Sequence, residues 1–169
     1  MLLCIGPEGS GKTLLLRRLL NLNKPDISMT TVPTVGVNIV TLQVPEMLPI
    51  NIRELGGSMA PIWHNYYSGV RKVMYVVDVS NLTHLANATL LFMELLANPK
   101  LKTAQVAVVL NKTDCVLSRA SNELLNAMRF DELKEYAPQQ LTTFEVSALA
   151  GKGLRPLLEW IKGTKPKPK

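Results

Sequence analysis

Eight residues near the start of the chain, Gly6-Pro7-Glu8-Gly9-Ser10-Gly11-Lys12-Thr13, fit G-x-x-x-x-G-K-[ST] at every fixed position. They leave few folds open. The apolar run Leu2-Leu3-Cys4-Ile5 precedes them and reads as a buried strand, and Leu14-Leu15-Leu16-Arg17-Arg18-Leu19-Leu20 follows with good helix formers. A strand, a glycine-rich turn and a helix start make an anion cradle. Backbone N–H groups point into the turn, and the helix start adds partial positive charge. In such a loop the Lys12 side chain reaches the outer phosphates and the Thr13 hydroxyl ligates Mg²⁺. The motif points to a nucleoside triphosphate without choosing its base.

The rest of the pattern alternates strands with helices. Helix one is expected over Lys12 to Asn21, and Asn23 to Pro33 reads as a loop with Pro25 and Pro33. Val37 to Val44 and Ile50 to Leu55 form a hairpin turned by Pro45-Glu46-Met47-Leu48-Pro49, and Gly56-Gly57 ends it. Pro61 to Tyr67 reads as a short helical stretch. Val73 to Val79 is a nearly continuous apolar run, as in a central parallel strand. A helix over Thr83 to Asn98, a buried strand over Ala104 to Leu110, and short helices over Ser121 to Arg129 and Phe130 to Tyr136 follow. A last strand over Thr142 to Val146 and a last helix over Leu154 to Lys162 complete the list, with Pro156 tolerated in the first helical turn. This order specifies a three-layer α/β domain with a mostly parallel six-stranded sheet and one antiparallel edge strand. Ligands in such sheets bind beyond the carboxyl ends of the strands. Four loops should therefore meet at one site: the phosphate loop, Gly56-Gly57, Asn111 to Asp114, and Ser147-Ala148.

The bulk properties narrow the class. The chain has 169 residues, 47% hydrophobic and 19% charged, which suits a single globular domain. Net charge is +6, and three of the positive charges fall in Lys165-Pro-Lys-Pro-Lys169. We expect residues 1–164 to form the domain and 165–169 a basic disordered tail. Two scattered cysteines, Cys4 and Cys115, argue for a reducing compartment without a disulfide framework. No run is apolar and long enough to span a membrane, no lipidation signal is expected at either end, and no nucleic-acid partner is expected.

Asn111-Lys112-Thr113-Asp114 follows a buried strand and fits the Asn-Lys-x-Asp pattern of guanine-nucleotide-binding proteins. A carboxylate at Asp114 can accept from the guanine ring N1–H and from its exocyclic amine, a pair of donors adenine lacks. The aliphatic stem of Lys112 can lie along the base, and Asn111 can tie this loop to the phosphate loop. Ser147-Ala148-Leu149 resembles the Ser-Ala-x element whose backbone N–H meets the guanine oxygen.

With these motifs in place the chain resembles small GTPases of the ADP-ribosylation-factor family over nearly its whole length. Val32-Pro33-Thr34-Val35-Gly36-Val37-Asn38 resembles the family's first switch, Glu54-Leu55-Gly56-Gly57 the second, and Pro61-Ile62-Trp63 with Tyr66-Tyr67 the following aromatic element. The resemblance implies a P-loop NTPase fold of the small-GTPase type, with GTP or GDP and Mg²⁺ as cofactors. It implies nucleotide contacts from Glu8, Gly9, Ser10, Gly11, Lys12, Thr13, Leu14, Thr34, Gly57, Asn111, Lys112, Asp114, Ser147, Ala148 and Leu149. Thr13 and Thr34 would ligate Mg²⁺, Glu54 would hold it through water, and Lys12, Thr34 and Ser58 would stand at the catalytic positions. Effectors and regulators would bind through residues 30–67. Cytoplasmic work follows from the resemblance, peripheral on endomembranes or at the cilium.

Several residues depart from the pattern. The family's switch-two Asp is Glu54, which moves the carboxylate by more than about 1 Å. The Gln that orients the attacking water is Ser58, too short for the same gap. The stretch from the glycines to Trp63 is about two residues shorter than usual. The aromatic trio under the switches is reduced to Tyr66, with Val37 and Arg53 at the other places. No counterpart of the family's amphipathic lipidated N-terminal helix is expected. Trp160 is expected to pack against the sheet, and Arg53 to be a solvated strand residue. Two readings follow: a nucleotide-dependent switch with weak intrinsic hydrolysis, and a non-cycling module that holds GTP without cleaving it. An ATP-using P-loop enzyme is a third class, against which Asn111 to Asp114 argues.

Overall fold

The computed structural model describes residues 1–22, 30–45, 47–115 and 120–163. The expected loop residues 23–29, the hairpin residue Glu46 and the basic tail 165–169 lie outside the described residues. Six strands form one sheet: β1 (Leu2–Ile5), β2 (Val37–Leu42), β3 (Ile50–Leu55), β4 (Lys72–Asp78), β5 (Gln105–Asn111) and β6 (Gln140–Glu145), in the order β2-β3-β1-β4-β5-β6. Only the β2–β3 pair is antiparallel, with Asn38 opposite Glu54 and Val40 opposite Ile52. The other pairs are parallel, and Asp78 ends level with Asn111.

The helices are α1 (Lys12–Leu20), α2 (Leu85–Ala97), α3 (Ala120–Ala127), α4 (Phe130–Tyr136) and α5 (Leu154–Lys162). They cover both faces, which is why β1 and β4 are apolar at successive positions rather than alternating. Period-two geometry then sorts each strand's side chains. Leu3, Ile5, Val73 and Tyr75 join Phe92 and Leu95 of α2 and Leu124 of α3 in one core. Leu2, Cys4, Met74 and Val76 join Leu15, Leu16 and Leu19 of α1 and Leu157 and Ile161 of α5 in the other.

Boundaries differ from expectation in places with identifiable causes. The stretch expected to become helical at Pro61 is instead a 3₁₀ helix over Gly57–Tyr66, beginning four residues earlier. Pro61 has no N–H to give an α-helical bond, and the tighter winding suits the short connection. The indole of Trp63 donates to the Gly56 carbonyl at 3.1 Å and pins this helix to the end of β3. The helix expected from Thr83 opens with a 3₁₀ turn over Leu82–His84 before α2. Arg53 is not simply solvated: it is half-buried, with its guanidinium 5.8 Å from the Tyr66 ring centroid. Trp160 is half-buried at the core's rim, 6.1 Å from Phe144, with the Lys72 ammonium 5.1 Å from its centroid.

This topology puts the carboxyl ends of β1, β3, β4, β5 and β6 along one edge of the sheet. The phosphate loop, Gly56-Gly57, the turn after Asp78, the Asn111–Asp114 loop and the Ser147–Leu149 loop all leave from that edge.

Candidate nucleotide-binding site

The phosphate loop leaves buried β1 and turns into α1 through Gly11, whose φ of 87° lies in the left-handed region. That position excludes a side chain for a second reason. A Cβ on Gly11 would stand 2.4 Å from the Asn111 amide nitrogen. The first helical bond runs from the Leu15 N–H to the Gly11 carbonyl at 2.9 Å, so the amides of Lys12, Thr13 and Leu14 have no intrahelical acceptor. The helix start carries neither a capping side chain nor an acidic residue in its first turn. Such a start favours an anion.

Lys12 is buried and curls back on its own loop, donating to the carbonyls of Gly6 at 2.8 Å and Pro7 at 2.9 Å. Burial pulls its ammonium below the ordinary value, while nearby Cys4, Glu54 and Glu8 pull the other way. A cation held over the loop with only carbonyl partners is suited to a phosphate oxygen. The hydroxyl of Ser10, in contrast, is buried and has no hydrogen-bond partner among the described residues. An open cavity of about 320 Å³ runs from the loop across Lys12 and Thr13 to Pro33, Thr34 and Gly57.

Three loops at the base end are fastened by one side chain. Asn111, 1% exposed, donates from Nδ2 to the Ser10 carbonyl at 2.9 Å and accepts at Oδ1 from the Ala148 N–H at 3.1 Å. The expected tie between Asn111 and the phosphate loop is therefore present. The Ala148 N–H, expected at a guanine oxygen, is engaged by Asn111 here. Asp114 is exposed, with one oxygen accepting from the Ser147 hydroxyl and the other from the Cys115 thiol at 3.4 Å. The Ser147 hydroxyl, opposed only in part by burial, holds the Asp114 carboxyl below its usual range. Asp114 is thus an exposed, ionised acceptor on the loop that leaves β5. Ser147 also accepts from the Ala150 N–H at 2.9 Å, which shapes the turn carrying Leu149.

At the other end the two segments that resemble the switches meet the phosphate loop. The Thr34 hydroxyl lies 2.9 Å from the Thr13 hydroxyl. Glu54 is fully buried at the end of β3, and its Oε1 accepts from Thr13 at 2.5 Å and lies 3.4 Å from Thr34 Oγ1. Its Oε2 accepts from Asn38 of β2 at 3.1 Å. Two hydroxyls and a carboxylate converge as hard oxygen donors, a set that fits Mg²⁺. Gly57 closes over the loop so tightly that a Cβ would stand 2.2 Å from the Glu8 nitrogen. Ser58, next in line, is exposed on the first turn of the 3₁₀ helix.

Two functional contacts escaped the sequence reading. Asp78, inside the run Val73 to Val79 that reads as a central strand, accepts from the Lys112 ammonium at 2.6 Å. It therefore holds the side chain expected along the base. The parallel register that sets Asp78 level with Asn111 brings the pair together, and no local sequence pattern states that register. Arg18 of α1 donates to the carbonyls of Ala148 at 2.9 Å and Leu149 at 2.8 Å, bracing the last loop from the opposite layer. No sequence pattern marks it.

Comparison with known proteins agrees with this geometry. The sequence profile of the ADP-ribosylation factor family matches residues 1–164. Human ADP-ribosylation factor-like protein 16 is 36% identical over 97% of this chain and 85% of its own length. ADP-ribosylation factor-like protein 1 of Caenorhabditis elegans is 30% identical over 95% of this chain and 86% of its own. Among solved structures, the Arl6 BBS3 small GTPase from Trypanosoma brucei with the bound nucleotide analogue GppNp superposes with a TM-score of 0.80. That match covers 96% of this chain and 94% of the other at 21% identity, a likeness of fold. The matched profile, the identity across almost the whole length and the strand-end loops together place this chain in the ADP-ribosylation factor family.

Proposed function

We propose that the protein is a GTP-binding regulatory switch with weak intrinsic hydrolysis. The observation that carries this reading is the closure of two distant segments on one phosphate loop: Thr34 against Thr13, and Gly57 against Glu8. A γ-phosphate bound in the cavity would give both segments a common anchor, and its loss would free both. Guanine selectivity would come from Asp114, with Asn111 and Lys112 fixing the base loop. Lys12 would hold the outer phosphates. Thr13, Thr34 and Glu54 would hold Mg²⁺, which would neutralise phosphate charge in the site. Effectors and regulators would read residues 30–67, where Val32, Val35 and Ile39 are 76%, 91% and 63% exposed. Among the described residues no helix is long and apolar enough to cross a membrane, so membrane contact in this reading is peripheral, on endomembranes or at the cilium.

A specific observation also favours a module that holds GTP without cycling. Ser58 stands exposed at the place where the resemblance calls for a water-orienting Gln, and a hydroxyl on one methylene cannot reach as far. One experiment addresses both readings. Nucleotide extracted from the purified protein is identified before and after incubation with EDTA, beside Lys12→Ala. Guanine nucleotide in the wild type and none in Lys12→Ala supports the binding role. Bound GDP that exchanges supports the switch, and GTP that survives incubation supports the module. Equal competition by ATP and GTP would overturn both. Single-turnover cleavage should rise about tenfold in Ser58→Gln, the equivalent of about 1.4 kcal/mol off the barrier.

A further inference from the structure

We infer that the face of the β2–β3 hairpin carrying Val37, Ile39 and Arg53 docks a protein segment that sets a carboxylate between apolar side chains. This rests on the reading of residues 30–67 as the partner-binding region and adds the chemistry of the partner. Val37 and Ile39 of β2 stand opposite Leu55 and Arg53 of β3, and directly opposite residues of an antiparallel pair put their side chains on one face. β2 lies at the edge of the sheet, and Val37 and Ile39 are 41% and 63% exposed. The next pair along that face is Thr41 and Asn51, hydrogen-bonded to each other at 2.9 Å. The face thus has an apolar centre and a polar rim at one end, the layout of a small protein interface.

Arg53 decides what can cover this face. Its guanidinium lies 5.8 Å from the Tyr66 ring centroid, and among the described residues it makes no ion pair and gives no hydrogen bond. Stacking on the ring holds the planar fork in place, so little freedom is lost when an acceptor arrives. A partner that covers Ile39 must also cover Arg53, its direct neighbour across the ladder. A guanidinium taken out of water without a counter-charge opposes binding, whereas a carboxylate can accept two parallel N–H bonds from it. Purely apolar and basic partners are therefore rejected, and acidic–apolar ones selected. Glu54, the next residue in the chain, is fully buried and bonded to Thr13 and Asn38, so it does not serve as that counter-charge. A bilayer of anionic lipid is a poorer match. Attraction to such a surface grows with the number of cations, and among Val37, Ile39, Thr41, Asn51, Arg53 and Leu55 only Arg53 is charged.

Peptide selection tests this. A phage-displayed library of random dodecapeptides is selected on the full chain loaded with GppNp, and Ile39→Ser protein is used to remove binders to other faces. The surviving peptides are expected to carry Asp or Glu flanked by apolar residues. Replacing that acid by its amide, or Arg53→Gln in the protein, should each weaken binding about tenfold or more, and the two changes together should weaken it little further. The peptide change is read on wild-type protein, so a variant that fails to fold does not decide the outcome. Survivors without a carboxylate, survivors indifferent to both changes, or no survivors at all would overturn the proposal. No survivors, with phosphatidylserine vesicles retaining the wild type but not Arg53→Gln, would assign the face to a bilayer instead. Carboxylate-dependent survivors that bind the GDP- and GppNp-loaded forms equally would sink the nucleotide-dependent switch and still support this docking face. If the chain takes up no GppNp, the nucleotide reading falls, and the same selection on the chain as purified decides the face.

Discussion

Asn111→Ala is the substitution whose cost the structure specifies most closely. Asn111 is 1% exposed and spends both ends of its amide on backbone groups of other loops, Ser10 O and Ala148 N. Those partners are themselves 1% and 2% exposed by residue, so water cannot easily replace the amide. Leaving a buried polar group unsatisfied costs roughly 1–3 kcal/mol. Two such groups, allowing for some relaxation, give a loss of about 2–5 kcal/mol. With a urea m-value of about 2 kcal/mol/M, the midpoint should fall by about 1–2.5 M. Unfolding is followed by tryptophan fluorescence under saturating GDP and Mg²⁺, where the buried Trp63 reports on the core. Asn111→Asp keeps an acceptor for the Ala148 N–H but sets a carboxylate against the Ser10 carbonyl, and should lose at least as much. A midpoint within about 0.3 M of wild type for Asn111→Ala would refute the claim that this amide fastens the three loops.

Other outcomes follow from single contacts. Gly57→Ala would place a Cβ 2.2 Å from the Glu8 nitrogen and 2.5 Å from its Cα, so the 3₁₀ helix must lift from the phosphate loop. Overpacking of this kind costs about 1–3 kcal/mol, and amide hydrogen exchange over residues 57–66 should accelerate about tenfold or more; unchanged exchange would contradict the contact. Asp78→Asn removes the 2.6 Å pair with Lys112 and should cost about 1 kcal/mol at neutral pH. Burial pushes the Asp78 carboxyl up, but hydrogen bonds from Lys112 and Ser80 outweigh it and hold the carboxyl below its ordinary 3.8. Its contribution is therefore complete above pH 3.8 and lost as pH falls through the lower folded value, so wild type and Asp78→Asn should converge in acid melts. Cys115 is exposed and Cys4 fully buried, with burial and the Glu54 carboxylate pushing the Cys4 thiol well up against the pull of Lys12. A thiol reagent should titrate one cysteine rapidly in the native protein and the second only in denaturant; two rapid thiols would contradict the packing of β1.

Much of this was legible beforehand because local patterns carry it. Gly6 to Thr13 announces its own turn and helix, and the alternation of apolar runs with helical spacings gives a sheet covered on both faces. Asn111 to Asp114 follows its strand directly, so its place at the sheet edge needs no knowledge of distant residues. The 3₁₀ helix over Gly57–Tyr66 was less legible. Its winding depends on the Trp63 indole reaching the Gly56 carbonyl, and on Pro61 withholding an N–H. The pairing of Asp78 with Lys112 depends on strand register between β4 and β5, which no local pattern states. The Arg18 bridge to the Ala148 and Leu149 carbonyls joins residues about 130 positions apart.

The sequence by itself determined the phosphate cradle, the parallel α/β sheet and the identity of the loops at its edge. Each of these rests on spacing within a few residues: glycines where a turn must be tight, apolar periods of two or 3.6, and polar residues just after strands. Only the tertiary structure decided what those loops do to one another. Glu54, by sequence an acid one methylene too long, proves to be buried and bonded to Thr13 and Asn38, from segments separated by 41 and 16 positions. Where the tip of a side chain lands depends on the summed geometry of every element beneath it, and no spacing within a few residues states that sum.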